Sequence, residues 1–293
     1  MQAVQRPRIT RRAVHGVLLL DKPLGLSSND ALQEAKRMFR AEKAGHTGTL
    51  DPLATGLLPL CFGAATKFSQ VSLDADKRYT ATLKLGVTTT TADAEGDVLE
   101  RCGVDVTRAQ FEAACAQLTG AIQQVPPMHS ALKRDGKPLY EYARAGIEVE
   151  REARAVTIHR IDIIDGEHDT WTIDVRCSKG TYIRTLAEDI GRLLGCGAHL
   201  SALRRTGSGA LTLDRAHTLE QLAAMTEAER DAQLMDADAL LSDWPLIRLG
   251  TEDAGRFLSG LRRRVPMPDH RTFACMAPNP KPSSAVPTSL PAN

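Results

Sequence analysis

The chain of 293 residues lacks the patterns that mark several common classes of protein. Its six cysteines are scattered without a C-x-x-C pair, which argues against a zinc ribbon or a thioredoxin-like redox site and fits a reducing cytosol. There is no G-x-x-x-x-G-K-[ST] phosphate loop and no H-E-x-x-H zinc motif. The run GVLLL near the N-terminus is too short to span a bilayer, and no signal-peptide pattern surrounds it. We therefore expect a soluble, cytoplasmic protein.

The charge balance names no partner, because the formal net charge is only +1. Basic residues are nevertheless clustered in RPRITRR (6–12), in LRRTGSG from Leu203 and in LRRRV from Leu261. Each cluster is compatible with phosphate binding and with an ordinary solvated face. The hydrophobic content of 42% is that of a globular protein able to bury a sizeable core.

Hydrophobic periodicity predicts a mixture of strands and helices. Apolar and polar residues alternate in KRYTATLKLGV and WTIDVRCSKG, and further strands are predicted at Val17–Leu20, AVTIHRIDII and AHLSALRR. Helices are predicted from about Asn29, with Ser27 or Ser28 as the cap, and in TRAQFEAACAQLTG and TYIRTLAEDIGRLLG. Strands and helices do not alternate regularly, which favours an α+β domain over a doubly wound sheet.

The segment AGHTGTLDPLATGLLPL presents one carboxylate, Asp51, among turn-forming residues. An isolated aspartate before a proline is more often a turn residue, and an Asx-type turn remains open as the explanation. The alternative is a loop whose glycines let the backbone pass close to a ligand and whose Pro52 stiffens the chain after a reactive group.

Other segments supply groups that suit such a ligand. Tyr79 opens a strand, Tyr182 and Arg184 lie at a strand-to-helix turn, and His46 shares the glycine-rich segment with Asp51. First-turn helix amides attract anions. A carboxylate, a guanidinium and three rings are what a flat, polar, uncharged ligand requires, although each ring is also compatible with core packing.

Seven segments together resemble the bacterial tRNA pseudouridine(55) synthases, the TruB-type branch of the pseudouridine synthases. They cover about residues 15 to 210 in the family's order: GVLLLDKPLGLSS, KAGHTGTLDPLATGLLPLCFGAATK, KRYTATLKLG, TTTADAEGDV, QVPPMHSALKRDGKPLYEYARAG, CSKGTYIRTLAEDIG and AHLSALRRTGSG. The resemblance implies the family fold, a mixed and mainly antiparallel sheet flanked by helices with a small C-terminal PUA-like appendage.

The resemblance also implies the reaction. Asp51 matches the nucleophile that attacks a flipped-out uridine in the T-loop of tRNA, at position 55, and gives pseudouridine without metal or cofactor. Arg184 matches the arginine that pairs with this carboxylate and keeps it ionised. Tyr79 matches the ring that stacks on the target base, and these three are the candidate catalytic residues.

The remaining candidate residues are implied contacts with the substrate RNA. Tyr182 matches a second tyrosine of the pocket, Leu203 an apolar wall of the uracil site, and His46 a residue that fills space near the flipped nucleotides. Lys22, grouped with these RNA-binding residues, belongs with Pro23 to a matching loop expected to be structural.

The resemblance suggests four segments: a basic arm (1–14), the catalytic domain (15–240), a partial PUA-like module (241–276) and a disordered tail rich in Pro and Ser (277–293). After Pro268 we find no alternating strands that would complete a barrel. The expected partner is the T-arm and loop of tRNA, with no membrane, no obligatory protein partner, no guide RNA and a monomeric state. The alternative function is an RNA-binding or tRNA-folding protein without catalysis.

Overall fold

The computed structural model describes residues 10–241, 244–259, 272–276 and 286–289. The strands are β1 (Gly16–Lys22), β2 (Ala44–His46), β3 (Ala54–Phe62), β4 (Lys77–Leu85), β5 (Val87–Thr89), β6 (Val98–Arg101), β7 (Gly120–Gln124), β8 (Lys133–Arg134), β9 (Lys137–Pro138), β10 (Arg154–Glu167), β11 (Thr170–Cys177), β12 (Ala198–Ser208), β13 (Leu211–Thr212), β14 (Leu246–Arg248), β15 (Thr272–Met276) and β16 (Val286–Ser289). The α-helices are α1 (Ser28–Met38), α2 (Ser69–Asp74), α3 (Arg108–Gln117), α4 (Leu139–Arg144), α5 (Ile183–Leu193), α6 (Leu219–Ala224), α7 (Glu227–Ala232) and α8 (Thr251–Leu258). Short 3-10 helices span Gly63–Lys67, Leu213–Arg215 and Ala237–Leu241.

A large sheet runs through the described part of the chain in the order β1-β3-β12-β4-β11-β10-β7, with β2 added to β3 and β13 to β12. Its neighbouring strands are antiparallel except for β3 and β12, which run parallel. Helices pack against this sheet, so the predicted α+β class with a mainly antiparallel sheet is confirmed.

Strand β4 shows why the alternation in the sequence is a reliable signal. Tyr79, Ala81, Leu83 and Leu85 are buried, while the residues between them are partly exposed on the opposite face. The neighbouring β11 repeats the pattern, with four buried residues from Trp171 to Cys177. Period-two patterning therefore directs one face of this central region into the core. Tyr79 lies within the sheet and not at its edge, because β12 and β11 flank β4.

The helices begin where the sequence places capping residues. Ser27 caps α1 by accepting from the Asp30 amide at 3.1 Å, so the helix starts at Ser28, one residue earlier than predicted. Thr107 and Gln110 form a capping box at α3, which satisfies free amides of the first turn. The predicted helix α5 buries an apolar stripe (Ile183, Leu186, Ala187 and Ile190), and Arg184 is buried with it.

The sheet splits at β3, and this split positions the loop that carries Asp51. β12 pairs with β3 only over Ala54–Gly56, whereas β2 pairs with the same strand over 60–62. The loop of residues 47–53 joins β2 to β3 and begins with the Thr47 amide donating to the Pro59 carbonyl at 3.1 Å. The loop therefore lies beside the gap between β12 and β2, which pair with opposite ends of β3.

The C-terminal part differs from prediction at two strands. β14, β15 and β16 form a separate three-stranded sheet. The expectation that no alternating strands follow Pro268 is therefore wrong at β15 and β16. The division of the chain into four segments, with a tail at 277–293, stays a prediction. Pro287 fits because β16 pairs only with β15 within the described residues, and a strand edge tolerates a missing amide. The other residues of the predicted tail lie outside the described ranges, as does most of the basic arm.

Within the described ranges, none of the helices combines the length and the apolar character needed to cross a membrane.

Candidate active site

The Asp51 loop is fixed on both sides of the carboxylate. The Leu50 amide donates to the Ser28 hydroxyl at 2.7 Å, and the same hydroxyl donates to the Leu50 carbonyl at 3.0 Å. On the other side, the Gly25 amide donates to the Pro52 carbonyl at 2.9 Å. Asp51 itself closes a tight turn, because its carbonyl accepts from the Ala54 amide at 3.0 Å. The loop around Asp51 is thereby tied to the start of α1 and to the loop before it.

Arg184 meets the carboxylate of Asp51 from the first turn of α5. Its Nη2 lies 2.9 Å from Asp51 Oδ2, and its side chain is only 5% exposed against 40% for Asp51. The guanidinium also donates to the Thr91 carbonyl at 3.0 Å and to the His129 carbonyl at 2.6 Å. On its far side, Nε lies 3.5 Å from Oδ2 of the buried Asp93. A planar guanidinium held at four points presents Asp51 with a fixed positive charge.

The charge state of Asp51 results from two opposing effects. Burial raises the pKa of this carboxyl group, and the nearby positive charge of Arg184 lowers it, with Asp93 adding to the rise and Lys22 to the fall. The net pKa is raised. Pairing with Arg184 therefore offsets burial only in part, which qualifies the expectation that this pair simply keeps Asp51 ionised.

Asp51 lies at a cavity of about 540 Å³ that also collects most of the predicted site residues. Tyr79 from β4, Tyr182 at the cap of α5, Arg184 and Leu203 from β12 all line it. Residues far apart in the sequence meet here because β4 and β12 are adjacent strands, with Leu203 opposite Ala81. The cavity combines an acid, two phenols and an apolar wall, the chemistry expected of a pocket for a flat polar ring.

The two pocket tyrosines are held by neighbouring groups. Burial raises the pKa of Tyr79, and the charge of Arg205 together with its hydrogen bond to the phenol opposes that rise. Burial also raises the pKa of Tyr182. The backbone of Tyr182 is clamped by the buried side chain of Gln124, which accepts from the Tyr182 amide at 3.0 Å and donates to its carbonyl at 3.3 Å.

Two predicted residues do not line this cavity. His46 is half-buried on β2, its Nδ1 has no hydrogen-bond partner, and burial lowers the pKa of the ring. Lys22 is 0% exposed, and its ammonium donates to the carbonyls of Pro23 (2.9 Å) and Leu26 (2.6 Å). Burial lowers the pKa of Lys22 to about 8. In this conformation Lys22 braces the loop of residues 23–26 and is not available to contact RNA.

Position 56 requires a glycine for a structural reason that the sequence does not reveal. Its φ is +96°, and a Cβ there would lie 2.3 Å from the Arg205 carbonyl and 2.9 Å from the Arg205 amide. Gly56 therefore permits the close parallel approach of β12 to β3, not an approach to RNA. Gly48 also has a positive φ, of +91°, and its missing side chain would point toward Arg205 Nη1 at 3.4 Å.

The two arginines of the cluster LRRTGSG differ in exposure: Arg204 is partly exposed and Arg205 is buried. Arg204 forms an ion pair with Asp21 at 2.7 Å, and Arg205 is among the largest fully buried side chains. Sequence reasoning also missed Asp93, although it lies within TTTADAEGDV. The available signal for Arg205 was its position two residues from Leu203 on the buried face of a predicted strand.

Comparison with known families identifies the class of protein. Residues 36–183 match the model of the TruB family pseudouridylate synthase N-terminal domain, and residues 184–242 match that of the tRNA pseudouridylate synthase B C-terminal domain. The second match includes β12, so both matches contribute strands to the same sheet. Pseudouridylate synthase is thus the class of protein that the fold and site define.

Curated relatives lead to the same family. The chain is 64% identical over 260 residues to tRNA pseudouridine synthase B of Burkholderia mallei (strain ATCC 23344), which covers 89% of this chain and 84% of the relative. It is 64% identical over 259 residues to tRNA pseudouridine synthase B of Cupriavidus pinatubonensis, covering 87% and 82%. The chain belongs to the TruB family of pseudouridylate synthases.

Solved structures share the fold at lower identity. A chain from the crystal structure of a Cbf5–Nop10–Gar1 complex is 27% identical with a TM-score of 0.71, and the match covers 94% of this chain and 78% of that one. A chain from a structure of an H/ACA RNP bound to a substrate RNA containing 2'-deoxyuridine is 26% identical with a TM-score of 0.69, covering 90% and 75%.

Proposed function

We propose that this protein isomerises a uridine of tRNA to pseudouridine and that its target is position 55 in the T-loop. The observation that carries the proposal is the Asp51 carboxylate, held 2.9 Å from Arg184 beside a cavity lined by Tyr79, Tyr182 and Leu203. The names of the curated relatives supply tRNA as the substrate class.

Asp51 acts as the nucleophile in this proposal. Its carboxylate adds to the ribose C1' or to the pyrimidine ring, and both routes break the bond between N1 and C1'. The base then turns in the cavity and forms a bond from C5 to C1'. The bond to Asp51 breaks, either as C5 displaces the carboxylate from C1' or by elimination from the ring, so the free carboxylate is regenerated. C5 loses its hydrogen as a proton and N1 gains one, so the reaction is a balanced isomerisation that calls for no cofactor. Arg184 stabilises the ionised carboxylate and fixes its direction.

The cavity requires the target nucleotide to leave its stack. A glycosidic bond inside a folded RNA loop is not accessible until the base is extruded, and extrusion costs a few kcal/mol. Stacking of a base on an aromatic ring contributes about 1–3 kcal/mol, and in this proposal Tyr79 supplies that ring. Leu203 forms the apolar wall of the same cavity. His46 lies on the strand that leads into the Asp51 loop, and in this proposal it fills space near the flipped nucleotides.

Tritium release from tRNA transcripts labelled at uridine C5 tests the proposal, because forming a bond at C5 expels that hydrogen. We expect wild-type protein to release label and Asp51→Asn to release none while still binding tRNA. A transcript with cytidine at position 55 is the matched substrate control and is expected to release nothing. Equal release by wild type and Asp51→Asn would contradict the role of Asp51, and release from the control transcript would contradict position 55.

The alternative of an RNA-folding protein without catalysis is not favoured, since the acid, its arginine and both tyrosines meet in one place. We also propose that the protein acts as a monomer in the cytoplasm without a protein partner or guide RNA. Turnover by the purified chain alone, with a mass by light scattering that matches one chain, is the expected result.

A further inference from the structure

A second arginine lies under the same cavity and has no part in the chemistry described so far. Arg205 is 1% exposed and lines the cavity floor between β3 and β12. A buried guanidinium is normally paired with a carboxylate, because an uncompensated buried charge is costly. The partners that the described part of the chain provides for Arg205 are instead two backbone carbonyls and one phenol.

These partners belong to three parts of the site: β3, the loop that carries Asp51, and β4. Nε donates to the Leu57 carbonyl at 2.7 Å, where β12 has stopped pairing with β3. Nη2 donates to the Gly48 carbonyl at 3.2 Å, in the loop that carries the nucleophile. The guanidinium also interacts with the Tyr79 phenol, since Arg205 and Tyr79 are direct register partners on β12 and β4 and both line the cavity.

We infer that Arg205 is a positioning residue that joins the nucleophile loop to the Tyr79 phenol and so holds both at one spacing across the cavity. The inference rests on the proposed function, because it assigns Arg205 a role in the same isomerisation. Arg205 does not act on the RNA in this role. It acts through Tyr79: the phenol oxygen accepts from the guanidinium, so the O–H of Tyr79 points away from Arg205 and is free to donate to another group.

A nearby lysine makes a matched control for the loss of a buried cation. Lys77 lines the same cavity floor, and its ammonium donates to the carbonyls of Ser72 (3.1 Å), Leu73 (3.2 Å) and Ala75 (2.6 Å). These contacts anchor the end of α2 and do not include the Tyr79 phenol. Lys77→Met therefore removes a comparable charge without breaking the link between loop and phenol.

A double-mutant cycle on turnover tests the link. We expect Arg205→Met to lower kcat by about tenfold or more, because a buried hydrogen bond to a charged group is lost, with little change in KM for tRNA. In a Tyr79→Phe background the same substitution is expected to cost at least about threefold less, since the phenol link is already broken. Lys77→Met is expected to cost the same in both backgrounds. Arg205→Lys, which keeps the charge, is expected to restore part of kcat.

Several results would overturn the inference. Equal effects of Arg205→Met in the two backgrounds would show that Arg205 supports the fold and not the phenol, as would equal coupling for Lys77→Met. If circular dichroism shows that Arg205→Met does not fold, the cycle is run with Arg205→Lys. Equal effects of that substitution in the wild-type and Tyr79→Phe backgrounds would then overturn the inference. An inactive wild type would remove the proposed function and this inference with it, whereas an active wild type with an additive cycle removes this inference alone.

Discussion

Replacing Ser28 by alanine tests whether the anchoring of the nucleophile loop controls turnover. The Ser28 hydroxyl accepts from the Leu50 amide at 2.7 Å and donates to the Leu50 carbonyl at 3.0 Å, one residue before Asp51. Both residues are buried, so that bulk water does not replace the hydroxyl. Alanine leaves the Leu50 amide without this partner, and an unsatisfied buried polar group costs about 1–3 kcal/mol.

The size of the effect on turnover follows from that cost. If the whole of about 2 kcal/mol is needed to hold Asp51 in the transition state, kcat falls about 30-fold, since each 1.36 kcal/mol is a factor of ten. Partial recovery by loop adjustment gives a smaller loss, and we expect a fall of about 5- to 30-fold in tritium release. The KM for tRNA should change by less than about twofold, because Ser28 is buried and is not among the residues that line the cavity.

The adjacent serine provides the control. Ser27 accepts from the Asp30 amide at 3.1 Å as the cap of the same helix, and its substitution by alanine costs about 1 kcal/mol of helix stability. It has no bond to Leu50 in the described contacts, so Ser27→Ala should lower the melting temperature while kcat stays near wild type. Assays are run below both melting temperatures. Wild-type turnover in Ser28→Ala, or equal losses in both variants, would refute the reasoning.

Two further perturbations follow from the geometry. Arg184→Met removes the charge that lowers the pKa of Asp51, so the nucleophile stays protonated to higher pH and the acidic limb of the kcat/KM profile should move to higher pH. Arg184→Lys keeps the charge and should leave the limb near its wild-type position. An unmoved limb in Arg184→Met would count against Asp51 as the titrating group. Gly56→Ala should lower the free energy of unfolding in urea by at least about 2 kcal/mol, because its Cβ would meet the Arg205 carbonyl and the φ at this position is positive. Gly45 has open space around it, so Gly45→Ala should change the free energy of unfolding by less than about 0.5 kcal/mol. Similar values for both glycine variants would contradict the close approach of β12 to β3.

The sequence predicts those features that depend on neighbours along the chain. Strand β4 alternates because side chains project to opposite faces of a strand, so Tyr79 and Leu83 were identified as buried partners from their spacing alone. The cap of α1 was predicted as Ser27 or Ser28, and Ser27 is the residue that satisfies an amide only a few residues away. The C-terminal strand β16 was missed because it contains Pro287, and a proline is acceptable in a strand only at an edge. The pairing of β16 with β15, which makes it such an edge strand, is not visible in the sequence.

The candidate site divides in the same way. Asp51, Tyr79, Tyr182 and Arg184 could be named from the sequence, partly from their setting and mainly from the family resemblance. That these side chains line one cavity depends on which strands become neighbours, and the order β3-β12-β4 is a long-range property that no local pattern contains.

The supporting groups were decided by tertiary structure alone. In the sequence Asp93 was an ordinary polar residue, Ser28 was a candidate helix cap and Arg205 was part of a basic cluster. The fold instead buries them beside Arg184, Leu50 and Tyr79. Local sequence determines which apolar residues are buried and where many elements begin, since these depend on contacts within one turn or one strand. Hydrogen bonds and ion pairs between residues distant in the sequence, such as Arg184 with Asp93 and Arg205 with Leu57, are determined only when the strands have paired.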